Sequence, residues 1–216
     1  MPPPMYAHDP FLALHQALQR PWLDLPAALL STVCEGWALA LVGLVVFGAR
    51  ERDLRRLVAV YLPLALALLA SGAAVQELKD VFGTPRPLAV YGSERVRIEL
   101  EPLFMFGFPS GHSSAAATFG VYALLAYGRR VRWVLALALL GGLSRIYVGA
   151  HWVTDVLGGW ALGGSLGLLA YLLARWAWPE GHLARLAHER AACACGPAAS
   201  DASLAPGRAP SRPRGP

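Results

Sequence analysis

The sequence predicts an all-α protein, a polytopic membrane helix bundle of five transmembrane helices preceded by a short N-terminal interfacial helix. Two observations carry this expectation. Of 216 residues, 56% are apolar and only 15% charged, and the mean hydropathy is +0.43, whereas soluble domains carry roughly one-quarter charged residues. The apolar residues also gather in blocks close to the ~20 needed to cross hydrocarbon, instead of the short amphipathic runs of a water-soluble core.

The elements follow in order. Asp9-Pro10 ahead of Phe11 reads as an N-cap and a helix-starting proline. Phe11, Leu14 and Leu18 share one face opposite Gln16, Gln19 and Arg20, which predicts a short interfacial helix ending near Arg20-Pro21, with Trp22 at the membrane boundary. Five apolar blocks then cover about 26–48, 57–78, 108–127, 133–149 and 152–174, the third and fourth shorter and interrupted by polar residues. Residues 88–107 form a long loop mixing Tyr91, Leu103, Phe104, Met105 and Phe106 with Glu94, Arg95, Arg97, Glu99 and Glu101. Such a loop serves as a lid or substrate wall, or as an amphipathic connector lying on the bilayer. Beyond Pro179 the chain is rich in Ala, Pro, Gly and Arg without sustained periodicity, as expected of a largely disordered tail. The expected organisation is an N-terminal segment 1–25, a membrane-embedded unit 26–178 and a tail 179–216.

Charge placement orients the bundle. The first 25 residues show no basic region followed by an apolar run and a cleavage site, so the first span is expected to act as the insertion signal. Arg50, Arg52, Arg55 and Arg56 follow the first span, and Arg129, Arg130 and Arg132 separate the third from the fourth. The positive-inside rule puts both loops in the cytoplasm, the N-terminus outside and the tail, from Arg175, inside a cytoplasmic membrane. The net charge of +5 is thereby accounted for by inner loops and tail, and no nucleic-acid partner is implied. All but one of the 19 basic residues are arginine, the exception being Lys79, whose compact ammonium differs in use from a guanidinium.

Cys34 lies in the first span and Cys193 and Cys195 in the tail, which gives no disulfide framework. With His182 or His188 they match no familiar zinc spacing, so neither a metal nor a cofactor is expected. Gly159, Gly163 and Gly167 recur every four residues in the fifth span, a stripe read as intramolecular helix packing ahead of dimerisation. Glu35 sits inside the first span, where an acid is costly unless paired, and is read as a partner for a cation of the functional site.

Three short blocks carry the chemistry. Lys79 and Arg86-Pro87 place two cations just above the end of the second span. Pro109-Ser110-Gly111-His112 directly precedes the third span, where unpaired N–H groups and the helix dipole favour an anion. Glycine there allows close approach, Ser110 adds a hydroxyl donor, and His112 is a candidate general acid. Ser144-Arg145 closes the fourth span, and His151 and Asp155, four apart, share one helical face. Asp155 can fix the imidazole tautomer and leave the other ring nitrogen free to attack phosphorus. Arg145, close to the apolar run, needs an anionic partner and suits phosphate bidentately. Each block alone has a structural explanation: snorkelling cations, a histidine in a glycine turn, a satisfied His-Asp pair. Together they supply the cations, nucleophile and acid that phosphoryl transfer requires.

In order, the blocks read Lys-x6-Arg-Pro, Pro-Ser-Gly-His and Ser-Arg-x5-His-x3-Asp, and this pattern resembles the type 2 phosphatidic acid phosphatase superfamily, whose site is shared with vanadium haloperoxidases. The resemblance runs from Lys79 to Asp155, although many relatives have six spans where five are read here. It implies metal-independent hydrolysis in which His151 attacks phosphorus to give a phosphohistidine, Asp155 orients it and His112 protonates the leaving oxygen. Lys79, Arg86 and Arg145, with Ser110 and the Gly111 N–H, would hold the phosphoryl oxygens. The expected partner is a lipid phosphate at the outer face, with undecaprenyl diphosphate favoured over phosphatidic acid and phosphatidylglycerophosphate by fold-level analogy. The soluble haloperoxidases do not fit a membrane composition. A non-catalytic lipid-phosphate binder, or a transferase passing the phosphoryl group to another acceptor, is the competing class.

Overall fold

The computed structural model describes residues 3–51, 53–97 and 100–177, all helical or irregular. The expected tail, with Cys193, Cys195, His182 and His188, lies outside the described residues. After a short turn over Pro4–Tyr6 come α1 (Phe11–Leu18), α2 (Pro21–Val33), α3 (Gly36–Gly48) and α4 (Leu54–Phe82). They are followed by α5 (Pro87–Tyr91), α6 (Gly111–Tyr127), α7 (Trp133–Tyr147) and α8 (Val153–Ala177).

Local chemistry explains most boundaries. Asp9 Oδ1 accepts the Phe11 N–H at 2.9 Å and starts α1. The inward face of α1 is Phe11 with His15, and Leu14 stays exposed. That departs from the expected Phe11, Leu14, Leu18 face, because His15 Nδ1 bonds the Ile146 carbonyl at 2.9 Å and its Nε2 accepts the Arg97 N–H at 3.0 Å. Asp53 caps α4 by accepting the Arg55 N–H at 3.1 Å, and Gly83, at φ 52°, ends the helix in the left-handed region with its N–H on the Lys79 carbonyl.

Two spans differ from expectation. The block 26–48 is not one helix: α2 and α3 meet at a 79° bend. The break falls at Cys34-Glu35-Gly36, where Glu35 is extended at φ −66°, ψ 144° and the helical ladder is interrupted. By length and composition, α4 and α8 can each cross a membrane, and the bent α2–α3 pair passes as a third, broken span, whereas α7 is a shorter apolar helix. The expected count of five is therefore not reached on these criteria. α6, with 17 residues, is shorter than these spans, and it packs against α3, α4, α7 and α8. A helix sheathed by protein can carry buried Ser113, Ser114 and Thr118 where lipid contact would demand apolar residues.

The pairing of α6 with α8 is the tightest in the bundle. Cβ atoms built at Gly159, Gly163 and Gly167 would come 2.5, 1.9 and 2.6 Å from the backbone carbonyl oxygens of Ser110, Ser114 and Thr118. The stripe is thus a backbone-to-backbone seat within one chain. Aromatic packing of Phe47, Phe119 and Tyr122 fills the far half of the core, and Tyr6, Phe11, Val96, Ile146 and Trp152 fill the near half. Gly163→Ala is expected to abolish monodisperse, folded protein in detergent. Gly164→Ala, whose Cβ meets only Val121 Cγ2 at 3.8 Å, is expected to melt at the wild-type temperature.

Candidate functional site

The three blocks converge where the N-termini of α6 and α8 meet the ends of α4 and α7. Ser110 and Asp155 are joined through the backbone, the Ser110 N–H donating to the Asp155 carbonyl at 3.0 Å. His151 lies in the turn just before α8 and is 2% exposed, and Asp155 is fully enclosed. His151 Nδ1 is 3.2 Å from Asp155 Oδ2, and Arg86 Nη1 is 3.3 Å from His151 Nε2. A guanidinium can only donate, so Nε2 is the acceptor and the ring proton sits on Nδ1, toward the carboxylate. The lone pair of Nε2 thereby faces the cation cluster. Burial foremost, and then the charges of Arg86, Arg145 and Lys79 with His112 behind them, hold His151 well below the ordinary histidine range. The imidazole is therefore neutral at physiological pH.

Arg86 reaches this position because α4 stops at Phe82 and the following residues run extended. Its backbone N–H donates to the Phe104 carbonyl at 2.8 Å. Its side chain donates to the Met105, Phe106 and Ala150 carbonyls at 2.8, 3.3 and 3.0 Å. The expected loop over 88–107 thus begins as a helix, α5, and its Phe104, Met105 and Phe106 carbonyls are bound to Arg86 as a wall of the site, which Thr84 Oγ1 secures by accepting the Phe108 N–H at 2.9 Å. Burial lowers the proton affinity of Arg86, which still remains a cation at neutral pH.

Arg145, 5% exposed at the end of α7, donates through Nη1 to Ser31 Oγ, and its Nε is buried without a partner. An enclosed guanidinium N–H with nothing to bond is costly and suits an anion. Ser110 acts as the N-cap of α6, its Oγ accepting from Ser113 N at 3.4 Å and Ser113 Oγ at 3.0 Å. The hydroxyl was expected as a phosphate donor. Its two contacts here leave its own hydrogen available. Gly111 opens α6 with its N–H in the first turn, and His112, next along, directs Nε2 to Glu35 Oε1 at 3.8 Å. Lys79 is half-buried in the last turn of α4, and its charge acts on His151 across the site.

Several residues at this site went unseen in the sequence. Tyr6 Oη donates to Asp155 Oδ1 at 2.8 Å, fully buried, and the Tyr6 ring stacks on Trp152 at 4.6 Å. Burial and the Asp155 charge push the Tyr6 phenol up, so it stays a donor. Trp152 donates its backbone N–H to Asp155 Oδ2 at 3.1 Å and its indole N–H to the Pro85 carbonyl at 2.8 Å. Asp9 accepts from the Val153 and Thr154 N–H groups at 3.2 and 2.8 Å, capping α8 from a distance. Asp9 carried a sequence signal, but only for its own helix. Tyr6 carried none.

Comparison with known proteins gives the family. Residues 60–179, more than half the chain, match the PAP2 superfamily, and the chain belongs to that superfamily. It is 41% identical over 114 residues to phosphatidylglycerophosphatase B of Bacillus subtilis (strain 168), covering 44% of this chain and 53% of the relative. It is 39% identical over 67 residues to the undecaprenyl-diphosphatase of Sulfolobus acidocaldarius, covering 30% and 32%. With the lipid A 1-phosphatase of Rhizobium etli it shares 43% over 67 residues, covering 31% and 28%. The chain thus spans about half the length of these curated relatives, or less. Among solved structures, Aquifex aeolicus LpxE superimposes with a TM-score of 0.62 at 27% identity, over 74% of this chain and 91% of that one. A PAP2-type phosphatidylglycerolphosphate phosphatase from Bacillus subtilis gives 0.58 at 24% identity, over 74% and 82%, a likeness of fold.

Tyr6→Phe removes one donor from a buried carboxylate. It is expected to destabilise the protein by about 1–3 kcal/mol, read as a lower melting temperature in detergent, and to slow turnover several-fold because Asp155 loses one of the bonds that orient it.

Proposed function

We propose that the protein is an integral-membrane, metal-independent phosphatase of lipid phosphates or diphosphates that works through a phosphohistidine. The observation that carries this reading is the buried His151, with Nδ1 on Asp155 and Nε2 turned to the Arg86 guanidinium. Arg145, with its unpartnered Nε, and Lys79 complete the surrounding positive charge. Phosphoryl transfer asks little covalent chemistry of a protein beyond positioning and charge stabilisation, and these side chains supply both.

In the proposed sequence, the phosphoryl group enters between Arg86, Arg145 and Lys79, and the Gly111 N–H at the start of α6 receives one of its oxygens. The Arg86 Nη1–H moves from His151 Nε2 to a phosphoryl oxygen, which frees the lone pair. Nε2 bonds to phosphorus as the P–O bond to the leaving group breaks, and His112 gives that oxygen its proton. Asp155 stabilises the cationic ring through Nδ1–H. His112 then takes a proton from water as the water oxygen attacks phosphorus and the P–N bond breaks, releasing phosphate and restoring both imidazoles.

Substrate class is narrowed by the membrane setting and by the lipid phosphatases among the relatives. Undecaprenyl diphosphate, phosphatidic acid and phosphatidylglycerophosphate form the test panel, with the undecaprenyl substrate favoured for a small outward-facing enzyme. In detergent with EDTA, phosphate release is expected to persist for at least one of them. His151→Ala is expected to form no phosphoenzyme, and His112→Ala to lose on the order of a hundred- to ten-thousand-fold in rate. The acid limb of kcat/KM should lie below pH 6.5, since the lowered proton affinity of His151 keeps it neutral until the medium is more acidic. A folded protein that releases no phosphate would replace hydrolysis with binding or transfer to another acceptor.

The proposed orientation puts the site outside the cytoplasmic membrane. In a background lacking the three cysteines, Ser93→Cys in intact cells is expected to react with a membrane-impermeant maleimide, and Arg130→Cys only after lysis. The reverse pattern would invert the topology.

A further inference from the structure

We infer that Glu35 is a positioning residue for His112, holding the general acid as Asp155 holds the nucleophile. This deepens the phosphatase reading and rests on it. Glu35 occupies the N-cap position of α3 at the 79° break between α2 and α3, yet its side chain does not cap that helix. Its Oε1 instead lies 3.8 Å from His112 Nε2, and its Oε2 accepts from the Trp37 indole N–H. An acid placed within an apolar segment is retained where it has a polar role. The bend gives it one, since it carries the carboxylate from the side of the bundle to the first turn of α6.

The charges around His112 show what that carboxylate contributes. Burial foremost, and then the charges of Arg145 from α7, Lys79 from α4 and Arg86 from the loop after it, oppose a positive charge on this imidazole. The acid step needs the imidazolium, which must form among those three cations. Glu35 is the carboxylate at ion-pair distance from the ring. In the imidazolium both ring nitrogens carry hydrogen, so Nε2–H turned to Glu35 leaves Nδ1–H for the leaving oxygen. As the His151–phosphorus bond forms and the P–O bond breaks, the Nδ1 proton passes to that oxygen and His112 becomes neutral. Water returns a proton to it in the second step, and Glu35 remains a carboxylate throughout.

A carboxylate that serves only the acid matters most when the leaving group needs a proton. The decisive measurement is kcat/KM, which reports the steps up to phosphoenzyme formation, for phosphatidic acid, with an alkoxide leaving group, and for p-nitrophenyl phosphate, with a stabilised phenolate. The full chain in detergent is compared with Glu35→Gln, Glu35→Asp, His112→Ala and the Glu35→Gln/His112→Ala double variant. Glu35→Gln is expected to lower the ratio of the two values roughly ten- to a hundredfold, the usual cost of losing an orienting partner. Glu35→Asp should recover part of it, and Glu35→Gln should add little in the His112→Ala background. Equal losses on both substrates, or full additivity with His112→Ala, would overturn the role of Glu35 and leave the phosphatase standing. A wild-type chain that releases phosphate from none of the three lipids of the test panel, or His112→Ala with an unchanged ratio, would instead remove the reading on which it rests.

Discussion

Contact between the backbones of α6 and α8 is the constraint on which the site depends. Because Gly159, Gly163 and Gly167 present no side chain, α8 lies directly against the carbonyl groups of Ser110, Ser114 and Thr118. At the same end of this seam the Ser110 N–H bonds the Asp155 carbonyl. The start of α6 and the His151–Asp155 turn are thereby locked in one register. Inside a membrane this kind of close packing substitutes for a hydrophobic drive between helices, which lipid does not supply.

Gathering Lys79, Arg86 and Arg145 around one imidazole would be self-defeating without acceptors. The structure provides them in an ordered way. Arg86 is spread over three backbone carbonyls and His151 Nε2, and Asp155 takes bonds from Tyr6, His151 and Trp152. Among the described residues, the Arg145 Nε is the buried side-chain donor left without a partner. This open N–H, beside the oriented ring of His151, is the observation that supports the proposed anion site.

The N-terminal segment belongs to this arrangement. Asp9 caps α8, Tyr6 bonds Asp155, and Tyr6, Phe11 and Tyr91 pack around Trp152. His15 ties the same segment to the Ile146 carbonyl and the Arg97 N–H. A stretch that reads as a membrane-surface helix is therefore also a clasp on the turn that carries His151.

The sequence by itself determined the helical class, the superfamily, the three blocks and the glycine stripe. Each of these is local: spacing along a helix, a cap, an N-terminus open to anions, or a run of apolar residues. It also marked Glu35 as an acid in need of a partner. Only the tertiary structure decided the rest, because contacts between residues far apart in the chain leave no periodic trace. The pairing of Tyr6 with Asp155 spans 149 positions, and the bend that brings Glu35 to His112 interrupts a block whose hydropathy reads as one continuous span. The surroundings of α6 belong to the same category: hydropathy measures apolarity, but α6, enclosed by its neighbours, is set by packing and tolerates the serines and threonine that a lipid-facing helix would exclude.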